Sequence, residues 1–132
     1  MTDIEQIPPG NLRVPRDEFV AVWARAEELA HGDWYAAGVA RTCRWVACAF
    51  VPTLPAQGER LKPAWSPLGA GRARAHEELI EAEAVAADRK MARHPHGIEG
   101  QPGFLEAIVV TLDWVWRGSG RPPLDDRRSA AG

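Results

Sequence analysis

His76, Glu83 and Lys90 recur at intervals of seven in the stretch Arg72–Arg93, in line with Leu79, Ile80, Ala86 and Ala87. On a helix, spacings of three, four and seven gather such residues on one face. An ionisable column within the least polar stripe of a helix has three readings. It pairs with charges on a neighbouring helix, it meets a second chain, or it receives a ligand.

Arg41 and Arg44 supply the complementary charge. Arg41 follows Trp34 by seven residues and precedes Trp45 by four, so its guanidinium is placed to stack on either ring. If the second and third helices pack together, Arg41 meets Glu83 and His76 stands nearby. The bland outcome is an internal ion pair that sets helix register and adds little stability. The functional outcome is a pocket in which Arg41 and Arg44 hold a small anion. There His76 would exchange a proton and Glu83 would orient it, so His76 and Glu83 are the candidate catalytic residues.

The six tryptophans form a second constellation. Trp34 and Trp45 lie opposite the Val39 and Phe50 stripe of the second helix. Trp114 lies off the main face of the fourth. Tryptophan with nearby arginine is typical of anchors in protein contacts, so Trp34, Trp45 and Trp114 are read as interface residues. Core packing, or cover by a loop carrying Trp65, is the competing reading.

Other chemistry has thinner support. Glu28-Leu29-Ala30-His31 has the ExxH spacing of di-iron bundles, but it occurs once. His94 and His96 flank Pro95, with Glu99 or His76 as a third ligand, yet no four-ligand set emerges. Neither a metal nor another cofactor is expected. GxSxG, P-loop and GxGxxG patterns are all missing from the sequence. Cys43 and Cys48 do not form CxxC and point to different sides of a helix, so they read as buried apolar side chains.

The elements that must position these residues follow from periodicity. Pro15 suits the start of a first helix, with Asp17 and Glu18 at its positive end and Phe19, Val22, Trp23, Ala26, Leu29 and Ala30 inward. Gly32 stops it, and Asp33 is a natural cap for a second helix over residues 34–51. That helix is apolar on two sides and is read as the central element. Gly38 within it implies the close approach of a neighbour. Pro52 to Pro67 is too rich in proline for a regular element, and this long connection is a candidate lid. The third helix covers Arg72–Arg93, and the fourth runs from Phe104 to about Arg117.

The expected fold is therefore all-α: a small, four-helix bundle-like domain over residues 15–118, with the second and fourth helices at its centre. Residues 1–14 are read as a flexible lead-in and 119–132 as a disordered tail.

A chain of 132 residues and 45% hydrophobic content is one globular domain and too apolar for general disorder. Net charge −2 gives no long-range attraction for nucleic acid or anionic membranes. Lys62 and Lys90 are the only lysines among 16 basic residues, which suggests a high-GC bacterial coding sequence. The acids and prolines of the first ten residues do not make a signal peptide, and the apolar stretch 34–51 is broken by arginines, so the expected location is cytoplasmic.

Gly120-Arg121-Pro122 resembles the Gly-Arg-Pro centre of minor-groove AT-hook peptides. Ser119 stands where that motif has arginine, and Asp125 and Asp126 follow. The resemblance implies DNA association through the tail as a lesser alternative. The leading expectation is a non-enzymatic protein acting through protein contacts, as a homodimer or accessory subunit. A small anionic ligand is the alternative.

Overall fold

The computed structural model describes residues 7–48, 50–52, 61–63, 67–68 and 75–124. Four helices make up most of this: α1 (Arg16–Leu29), α2 (Trp34–Val46), α3 (Glu77–Arg93) and α4 (Phe104–Val115). The protein is a small all-α domain, as its periodicity predicts.

Helix boundaries follow local chemistry. Pro15 stands just before α1 with φ −57° and ψ 138°, and Asp17 and Glu18 fill the first turn, where the helix dipole favours acids. The Asp33 carboxylate accepts from the Tyr35 amide at 2.9 Å and caps α2. α2 ends five residues earlier than the hydrophobic run suggests, because Cys48 takes a left-handed φ of 57° and turns the chain away. α3 begins after His76, with Glu77 and Glu78 in its first turn and Lys90 and Arg93 in its last. Gly103, at φ +83°, launches α4.

The proline-rich connection is more regular than expected. Strands β1 (Phe50–Pro52) and β2 (Leu61–Pro63) form a short antiparallel ribbon, with Phe50 opposite Pro63 and Pro52 opposite Leu61. In a two-stranded ribbon every strand is an edge, where a residue without an N–H is tolerated. The proposed lid and Trp65 otherwise fall outside the described residues.

α2 is central. It packs against α1 on one side and α4 on the other, while α3 rests on α4. The anticipated packing of the second helix on the third is thus replaced by contacts that both make with α4. Gly38 explains the closeness of α2 and α4. A Cβ there would lie 2.7 Å from the Phe104 carbonyl oxygen and 2.8 Å from the Ala107 Cβ. One turn further, buried Thr42 donates to the Gly38 carbonyl at 2.8 Å, and buried Thr111 donates to Ala107 at 2.6 Å. Each hydroxyl is satisfied within its own helix, so this interface needs no polar contact across it. Phe19, Val39, Val46, Ile80, Ile108, Leu112 and Val115 fill the core. Burying such side chains, at about 1.5–3 kcal/mol each, is what drives the helices together.

The lead-in, read from sequence as flexible, contributes Ile7 and Asn11 to the interior, from before and from the end of a single 3₁₀ turn at Pro9–Asn11. The Arg13 amide donates to the Val115 carbonyl at 2.7 Å, fastening the lead-in to the end of α4. At the other terminus Pro123 and Leu124 are buried, so residues 119–124 follow the body of the protein. No helix among the described residues is long and apolar enough to cross a membrane.

Candidate functional site

Arg44 is the most strongly engaged of the sequence-derived site residues. From the last turn of α2 its guanidinium grips Glu27 of α1 in a two-pronged pair, with Nε donating to Oε2 at 2.8 Å and the second nitrogen donating to Oε1. Trp23 Nε1 donates to the same Oε2 at 3.1 Å. The hydrogen bond from Arg44 holds the Glu27 carboxyl below its ordinary value against a smaller opposing effect of burial, and Glu27 in turn raises Arg44. Both side chains keep 37% of their exposure, so solvent screening limits the stabilisation to under about 1 kcal/mol. Glu27 did not stand out in the sequence. The available signal was its place four residues after Trp23, at the border of the apolar face of α1.

Glu83 finds a different partner. It is 8% exposed, and its Oε2 accepts from the Leu68 amide at 2.6 Å, tying α3 to the connection that precedes it. His76 stands exposed at the N-terminal boundary of α3, without a side-chain capping bond. With Arg44 turned to α1 and Glu83 to Leu68, the pairing expected between α2 and α3 gives way to two separate local contacts. Arg41, half-buried, has no hydrogen-bond or ion-pair partner among the described residues. The stacking expected of it is instead made elsewhere: the Arg13 guanidinium lies 4.2 Å from the centroid of Trp116.

The three tryptophans proposed as anchors divide sharply. Trp45 and Trp114 are 3% and 4% exposed and belong to the core, which removes them from any surface role. Trp34 is 44% exposed, and it is the one large apolar side chain so exposed among the described residues. Its ring meets Phe104 edge-on, with centroids 5.7 Å apart and planes at 84°. Position explains the difference. Trp34 opens α2 as its first residue, whereas Trp45 lies in the last turn of the same helix, among its buried residues.

A second polar array stitches α3 to α4. Trp116 Nε1 donates to Glu81 Oε2 at 2.6 Å, and Arg117 bridges Asp88 at 2.7 Å and Asp113 at 2.9 Å. These contacts lie at the solvent edge, where one guanidinium and one indole N–H serve three carboxylates. Desolvation pushes the buried Cys43 thiol far up, away from the nucleophilic thiolate. Among the described residues no three His, Cys, Asp or Glu side chains gather as a metal site.

Among the described residues, the arrangement offers an exposed Trp34 ring backed by the half-buried Phe104, at the N-terminal ends of α2 and α4, with the Arg41 guanidinium, which no described residue pairs, two turns along α2. Comparisons with protein-family models, curated proteins and solved structures give no match to this chain.

Proposed function

We propose that this protein works through protein–protein contact, as a homodimer or accessory subunit, and that Trp34 is its apolar anchor. The supporting observation is the exposed Trp34 ring, braced edge-on by Phe104. A rigidly backed tryptophan loses little side-chain freedom on binding and brings a large apolar area, which is why such residues dominate interface energetics. Arg41, two turns further along α2, adds a cation that a partner carboxylate can engage bidentately. Trp45 and Trp114 have no part in this surface.

Substituting Trp34 by alanine tests the reading. Removing an exposed ring should change folding stability by less than about 1 kcal/mol, because few core contacts are lost. Loss of an anchor should weaken association by at least tenfold. Light scattering for self-association and cross-linking of the tagged chain in its native host for a partner protein provide the readout. A monomer with no cross-linked partner, or an unchanged yield of the cross-links formed at the Trp34 surface, overturns the proposal.

A further inference from the structure

The side of α3 turned away from α4 carries Glu78, Ala82, Ala86, Arg89 and Arg93, all exposed. Their spacings of four, four, three and four place them on one strip, opposite the buried Ile80, Ala84 and Ala87. Charge on this strip is segregated rather than interleaved. Three and four residues after Glu78 come Glu81 and Ala82, and before Arg93 come Lys90 and Arg89. No opposite charge therefore stands at helical spacing. Among the described residues Glu78, Arg89 and Arg93 make no ion pair. The helix dipole accounts for an acid first turn and a basic last turn. It does not account for a midsection bare of long side chains at Ala82 and Ala86.

We infer that this strip takes a second copy of the chain, its α3 antiparallel to the first across a two-fold axis near residues 85 and 86. That axis sets Glu78 against Arg93 of the partner subunit, twice per dimer, and Ala82 against the stem of its Arg89. A parallel arrangement would oppose like charges, so the strip is self-complementary in one direction only. The alanines let the helix axes approach to about 8 Å, close enough for the flanking charges to meet. A 17-residue helix is only about 25 Å long. The contact falls at the small end of protein interfaces, so the dimer is weak and forms at high protein concentration. This goes beyond the Trp34 reading and uses a different face.

Sedimentation equilibrium on the full chain tests it, comparing wild type with Glu78→Arg, Arg93→Glu, the double reversal and Trp34→Ala. Either single reversal turns two attractions into two repulsions and should raise the dissociation constant at least about tenfold. The double reversal should return it to within about threefold of wild type. If the helix dipole were the whole reason for these charges, the double variant would instead be the worst of the series, in helix content by circular dichroism and in association. Wild-type dimerisation should weaken from 50 mM to 500 mM salt, and Trp34→Ala should leave it unchanged. A monomer at every concentration, or a dimer indifferent to both single reversals, overturns the inference. A dimer lost with Trp34→Ala but kept with Glu78→Arg also overturns it, while favouring the Trp34 face.

Discussion

One buried amide joins three distant parts of the chain. Asn11 Nδ2 donates to the Val46 carbonyl at 2.9 Å and to the Ala75 carbonyl at 3.2 Å, beside the Cys48 sulfur at 3.8 Å. Replacing Asn11 by alanine leaves both carbonyls without this donor in a dry site. It should cost about 2–3 kcal/mol, read as a lower urea midpoint. Glu27 and Arg44 carry a pH dependence of known sign. The folded state holds the Glu27 carboxyl below its ordinary value of 4.5, so the unfolded chain takes up the proton first as pH falls. Its contribution is complete above that value and disappears as pH drops through the lowered folded value. Arg44→Ala should therefore lose little at neutral pH, under about 1 kcal/mol, and show a shallower acid decline in urea titrations. Neither contact could be read from spacing. The partners of Asn11 lie 35 and 64 residues away, and local patterns carry no information at that range. Asp33, by contrast, was legible as a cap because its partner is two residues on.

Between helices, small residues decide who touches whom. Alanine at position 38 would gain about 1 kcal/mol of helix propensity. The same Cβ would collide with a backbone oxygen and with Ala107, which cannot swing aside. Overpacking of this kind costs about 1–3 kcal/mol, so Gly38→Ala should be neutral to destabilising by up to about 2 kcal/mol in spite of its propensity. Chemical denaturation measures the sign. A mid-helix glycine announced a close neighbour, and the paired apolar faces of α2 and α4 named it. For α3 the sequence was less informative. An inner face of Ile80, Ala84 and Ala87 fits almost any helix, so its true neighbour, α4, was as compatible with the pattern as α2 was. The charged column suggested α2, yet Glu83 turned to an amide of the preceding connection, a partner that no side-chain pattern encodes.

Taken whole, the domain keeps both of its cysteines inside. The native protein should react slowly with a thiol reagent such as DTNB, and both thiols should titrate promptly in denaturant; rapid modification of the folded chain would contradict the burial. The all-α class was visible in 3.6-residue periodicity, which α1, α2 and α4 display on broad apolar faces. The β1–β2 ribbon was hidden, because prolines at its ends read as interruption. The burial of Ile7 and Leu124 was hidden too, since an isolated apolar residue in a polar segment has no period to reveal it. Chain order adds a consequence of the α2–α4 contact. The surface that receives α2 is made last, more than fifty residues downstream. A growing polypeptide on the ribosome thus leaves the Gly38 side of α2 without its partner throughout synthesis of the intervening segment, and assembly of the interior must wait until residues 104–115 have emerged.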